Sequence, residues 1–173
     1  MATSTPTPDD AAKDPARRET LDSVAAQTAA IDTLIDLARR TIRVFDVDLS
    51  QTGWNNTARA DKLSTFLRTV RGARLDIVVH DTTWIERSGA RLMHLLRHYS
   101  HAMTIYRTGE AARHAMDPMV IVDNRHSLHR LDIAQPRAVL VIDDATATQP
   151  LVERFEEIWA SAEPGVGATV LGL

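Results

Sequence analysis

At 173 residues with 44% apolar side chains, the chain is long enough for one domain with a real core and short for two. A net charge of -3 and a pI near 6.1 lack the basic excess of a general nucleic-acid or anionic-membrane binder. Nucleic acid is therefore not an expected partner, although those totals leave room for a local basic patch. The absence of cysteine excludes disulfides, thiolate-bound zinc, iron–sulfur clusters and a thiol nucleophile.

The opening MATSTPTPDDAAKDPARRE has neither the basic start nor the apolar centre of an export signal. No later run reaches the roughly 18 apolar residues of a membrane span, so a cytoplasmic setting without membrane association is expected. Residues 1–18 hold three of the seven prolines and almost no large apolar side chain. They are expected to form a disordered tail, with a single domain over 19–173. Of the 20 basic residues only Lys13 and Lys62 are lysines, so arginine supplies every fixed cation after Lys62.

Leu21, Val24, Ile31, Leu34, Ile35 and Ala38 recur at helical spacing, and TIRVFDVDL then alternates as a strand. ADKLSTFLRTV is a second helix through Leu63, Phe66, Leu67 and Val70, broken by RGA and followed by the β-branched strand RLDIVVH. SGARLMHLLRHYSH is a third helix, on Leu92, Leu95, Leu96 and Tyr99, with AMTIYR as its strand. PMVIVD and RAVLVID are close enough to pair directly. A last helix on Leu151, Phe155, Ile158 and Trp159 takes Thr148 as N-cap and Pro150 in its first turn. This alternation predicts an α/β fold, a mixed sheet flanked by helices on both faces.

No glycine pattern for a phosphate cradle is present. Strand ends carry Asp46, Asp48, His80, Asp81, Arg107 and Asp123, where a ligand crevice is usual. The first four fit a divalent cation, yet Asp and His at strand ends more often start turns and cap helices. His94, His98 and His101 share one helical face, but it is the solvent face and has no carboxylate to complete a site. No metal and no cofactor is expected. The candidate ligand-binding residues lie in the stretch from Glu110 to Asp132: His114, Asp123, Arg125, His126, His129 and Arg130. Arginine with histidine suits capture of phosphate or carboxylate, and the same residues also suit a polar hairpin edge.

The order of elements over about residues 20–164 resembles one half of the phospholipase D fold. In that superfamily the signature is His-x-Lys-x-x-x-x-Asp. Its histidine attacks phosphorus, its lysine binds phosphate oxygens and its aspartate supports the site, and two such motifs from two halves or two subunits make one active site. Setting MVIVD against the variable residues and the aspartate puts Asp123 at the aspartate, Pro118 at the lysine and Met116 at the nucleophile. His114 does not restore the motif by a shift, because Met116 and Ile121 then fall at the lysine and aspartate. ARRTIRVFDVDL, RSGARLMHLLRHYSHAMTIYR, PMVIVDNRHSLHR and FEEIWASAEP resemble more closely a bacterial domain of unknown function of this half-unit type, members of which stand alone or follow an N-acetyltransferase domain.

The resemblance implies a phospholipase D-like half-domain without the superfamily's chemistry, binding a protein partner or a small phosphorylated ligand and forming a homodimer. A second reading moves phosphodiester chemistry to His114 with His126 or His129 across a homodimer. A third makes the chain a dimerisation module anchored by Trp54 and Trp84, which otherwise lid the core.

Overall fold

A strand buried at successive positions, rather than only at every second one, is covered on both faces. Thr41–Asp46 (β2) and Arg74–Val79 (β3) are such strands. Ile42 and Val44 face one side of the sheet while Phe45 packs on the other; Leu75, Ile77 and Val79 likewise oppose Val78. The computed structural model describes residues 16–167. Most of the expected tail lies outside the described residues, and a boundary at residue 18 falls inside a strand, Arg17–Leu21 (β1).

The remaining elements are α1 (Val24–Leu37), α2 (Thr57–Thr69), α3 (Thr83–Ser88), α4 (Ala90–His98), β4 (Met103–Arg107), β5 (Met119–Val122), β6 (His126–Arg130), β7 (Ala138–Ile142), α5 (Ala145–Ala160) and β8 (Glu163–Val166). They form an eight-stranded mixed sheet of order β1-β7-β6-β5-β2-β3-β4-β8. β2, β3 and β4 run parallel, joined by α2 and by α3 with α4. β5, β6 and β7 form an antiparallel meander that pairs back on β2. Ile31, Leu34 and Ile35 of α1, Leu63 and Phe66 of α2 and Leu92 and Leu95 of α4 cover one face. Val152, Phe155 and Ile158 of α5 cover the other, with Tyr106 and Trp159 stacked at 4.7 Å. The expected α/β fold with helices on both faces is the one observed.

The last helix begins earlier than its proline suggests. Asp144 is the N-cap, accepting from the Ala147 N–H at 2.9 Å, and Pro150 lies inside α5. Thr148, the expected cap, is buried, its hydroxyl 3.4 Å from that of Ser127 on β6. Trp54 is also a core residue, only 1% exposed, and so no surface anchor, while Trp84 is half-buried against the core. Among the described residues, the large apolar side chains that do stand out are Met116 and Leu131.

Candidate functional site

Parallel strands bring their carboxyl ends to a common rim, and residues just past those ends line any crevice there. Val47 follows β2, His80 follows β3, Arg107 ends β4 and Thr108 follows it. β5 is antiparallel to β2, with Phe45 opposite Met119 and Ile42 opposite Val122. The segment before β5 therefore delivers Arg113 and Met116 to the same rim. Val47, His80, Arg107, Thr108, Arg113 and Met116 surround an open crevice of about 390 Å³.

Its floor is fixed by hydrogen bonds. The Val47 carbonyl accepts from the N–H groups of His80 and Asp81, both at 3.0 Å, and Thr108 N–H donates to Val79 O at 2.9 Å. His80 Nε2 lies 2.5 Å from Ala115 O, and Nδ1 lies 2.7 Å from Thr108 Oγ1. A carbonyl only accepts, so Nε2 carries the proton; a neutral ring then accepts the Thr108 hydroxyl through Nδ1. With both nitrogens engaged and the ring edge-on to Phe45, His80 is a strut holding the Ala115–Met116 backbone against the sheet. The cations of the crevice are Arg107, exposed and without a carboxylate partner among the described residues, and Arg113, in an exposed pair with Glu110 at 3.0 Å.

The six sequence candidates do not converge. Asp123 lies at the other end of the sheet, beyond Val122. Its carboxylate accepts from the backbone N–H groups of Arg39, Arg40 and Thr41 at 2.7, 2.8 and 2.8 Å, a turn clamp rather than a ligand site. Arg125 and His126 share that end. Arg125 pairs with Asp143, and His126 Nδ1 accepts from the Asp143 N–H at 2.9 Å, which requires the unprotonated nitrogen. Burial, reinforced by the Arg125 charge, pulls the His126 pKa below the usual histidine value.

His129 and Arg130 return to the crevice end but are engaged there. His129 Nε2 lies 3.3 Å from Asp117, which also takes Arg154 at 3.3 Å. Burial pushes the Asp117 carboxyl up, and the bonds from His129 and Arg154 outweigh it and hold it below its ordinary value. Buried Arg130 donates to Gln135 O, Gln51 Oε1 and Ile133 O at 2.6, 2.7 and 2.6 Å. His114 is exposed beside the crevice without lining it. Sequence reasoning passed over Arg113, whose available signal was its place three residues before Met116.

Asp46 and Asp48 do not form a cation site with His80 and Asp81, and no group of three or more potential ligands able to hold a metal occurs among the described residues. The rings of His94 and His98 contact at 4.0 Å, while α4 ends at His98 and leaves His101 off the helix. Asp46 is buried, with Oδ1 accepting from the Val47 N–H at 2.6 Å, and desolvation raises its pKa from 3.8 to about 6. The folded protein thus holds this proton more tightly than the unfolded chain does. The resulting stabilisation is complete below pH 3.8 and lost as pH rises through about 6. Asp46→Asn is expected to remove that dependence and to gain up to about 3 kcal/mol over the wild type at pH 8. Denaturant unfolding across this pH range checks it, and an unchanged pH slope in the variant would assign the dependence elsewhere.

The fold so described is phospholipase D-like. The phospholipase D family member Nuc of Salmonella typhimurium superposes with a TM-score of 0.55 at 14% identity, covering 87% of this chain and 97% of that one. The phosphatidylserine synthase of Haemophilus influenzae Rd KW20 gives 0.61 at 14% identity, covering 89% and 40%. The archaeal chromatin protein TrmBL2, whose structure shows a novel mode of DNA binding, gives 0.65 at 15% identity, covering 86% and 54%. The chain thus spans about half or less of the last two. Residues 22–167 match the family described as Domain of unknown function (DUF7931), and the chain belongs to that family. No curated protein matches it. Among the described residues no helix is long and apolar enough to cross a membrane.

Proposed function

We propose that this domain is a non-catalytic phospholipase D-like half-unit that holds a small phosphorylated or carboxylate ligand, or an acidic group of a partner, in the crevice at the carboxyl ends of β2, β3 and β4. The observation that carries this reading is the crevice's composition: two guanidiniums, Arg107 and Arg113, beside Met116, with its one imidazole locked between Thr108 and Ala115. A thioether is no nucleophile for phosphoryl transfer, and Pro118 offers no cation at the position that the superfamily motif gives to lysine. Guanidiniums still bind phosphate oxygens without it. The histidine-based alternative needs His114 with His126 or His129; His126 is at the far end of the sheet, and His129 is already bonded to Asp117.

A second copy of the chain is the proposed partner at the rim. Met116 is 48% and Leu131 56% exposed, and the Ile133 N–H donates to Met116 O at 2.8 Å, joining the two loops that carry them. Heteronuclear NMR with inorganic phosphate is expected to shift the amides of residues 107–116, and Arg107→Ala to weaken binding by about tenfold or more. Shifts confined to other surfaces would contradict the assignment. Sedimentation velocity at about tens of micromolar is expected to show a dimer that Leu131→Asp dissociates; a wild-type monomer would remove the second copy from the proposal.

A further inference from the structure

The end of the sheet opposite the crevice has its own character. Arg39 and Arg40 lie between α1 and β2, Arg68 and Arg71 flank the turn between α2 and β3, and Arg97 is in the last turn of α4 before β4. β2, β3 and β4 are parallel neighbours, so their entry turns lie side by side, spanning about 10 Å at ordinary strand spacing. The turns are tied together. Arg74 N–H donates to Arg40 O at 3.0 Å, Leu75 N–H to Ala102 O at 2.9 Å, and the Arg74 guanidinium to His101 O at 3.3 Å.

The five arginines are exposed, and none has a carboxylate partner among the described residues. Their neighbours do: Lys62 pairs with Asp36, Arg74 with Asp76 and Arg125 with Asp143. Of the other carboxylates near this end, Asp123 is occupied by backbone N–H groups, Asp144 caps α5, and exposed Asp61 lies on the same surface as Arg39 and Lys62. His98 and His101, both exposed, add charge when protonated. A cation near a helix C-terminus has the ordinary task of meeting the macrodipole. Three helices end here, each bringing roughly half a negative charge, and five guanidiniums exceed that sum with Asp61, Asp123 and Asp144 counted.

We propose that this end of the sheet docks the phosphate backbone of duplex nucleic acid, reading charge and not sequence. Arginine presents a planar fork that grips phosphate through two bonds, and an array on three adjacent turns meets successive phosphates. Anionic membrane binding would call for apolar side chains to insert, and the exposed large hydrophobic residues among the described ones, Met116 and Leu131, lie at the opposite end. Single strands are held by aromatic platforms. The aromatic residues of this end pack on the core instead: Phe66 is buried, and the Tyr99 hydroxyl lies 3.0 Å from that of Ser64.

The test is fluorescence anisotropy of the full chain with a labelled random-sequence duplex, titrated with salt. Wild-type binding is expected to fall linearly in log–log form with salt. Arg40→Glu/Arg71→Glu/Arg97→Glu is expected to lose on the order of 100-fold affinity, with the slope reduced by about one for each phosphate contact removed. Its melting temperature and its crevice titration with phosphate should match the wild type, which separates this surface from the crevice. If the charge reversal impairs folding, the corresponding Arg→Gln set is read instead, with the same loss expected. Absence of duplex binding at low salt, equal binding by wild type and variant, equal affinity for single strands, or preference for phosphatidylserine vesicles would each overturn the proposal.

Discussion

Arg59→Ala is expected to cost about 3–5 kcal/mol of stability, lowering Tm by on the order of 10 °C at roughly 2–4 °C per kcal/mol for a chain of this size. Arg59 sits on α2 with 1% of its surface exposed. Its guanidinium bonds Asp32 at 2.8 Å and Thr28 O at 2.8 Å on α1, reaches Thr52 O in the loop after β2, and lies over the Trp54 ring at 5.1 Å. Truncation leaves the buried Thr52 carbonyl without this donor, strips Asp32 of its partner and opens space beside the indole, and the unpaired acceptors are the dominant loss. Arg59→Lys keeps the charge but cannot span these partners with one planar fork, so most of the loss should remain. Thermal unfolding of both variants is the measurement; a shift within a few degrees for Arg59→Ala would mean that water replaces these bonds at little cost.

Asp123→Ala is expected to cost about 2–4 kcal/mol, since bonds to a charged acceptor contribute about 1.5–3 kcal/mol and the turn's N–H groups can partly turn to water. Asp123 also has φ 53, a left-handed conformation that Asp and Asn tolerate better than Ala. Asp123→Asn should therefore lose less than Asp123→Ala. Urea unfolding of the pair decides between a turn clamp and a ligand contact. Stability retained in both, with phosphate binding lost, would return Asp123 to the ligand site.

Asp123 also shows where sequence reading stops. The β5–β6 hairpin puts residues that are close in sequence at opposite ends of the sheet: His126 pairs with Val122, His129 with Met119. A strand advances about 3.3 Å per residue, so a motif spread along it does not by itself form a site. The alternating helices and strands were legible because buried strands and amphipathic helices carry their periods in the sequence; the rim position of Met116 was not, because it depends on the antiparallel pairing of β5 with β2. β1 was not legible, because RRETL carries only Leu21 into the core and is ordered by its backbone ladder with β7. Nor was Arg59, a charge on an otherwise apolar helical stripe. Net charge is a sum over the whole chain and does not show that five exposed arginines gather at one end of the sheet.

The most direct test of the central claim is hydrolysis of an activated phosphodiester by wild-type protein, His114→Ala and His129→Ala purified in parallel, with phosphate binding measured on the same samples. Wild-type protein is expected to bind phosphate and to turn over substrate no faster than buffer. Turnover present in the wild type and absent from either histidine variant would contradict the account.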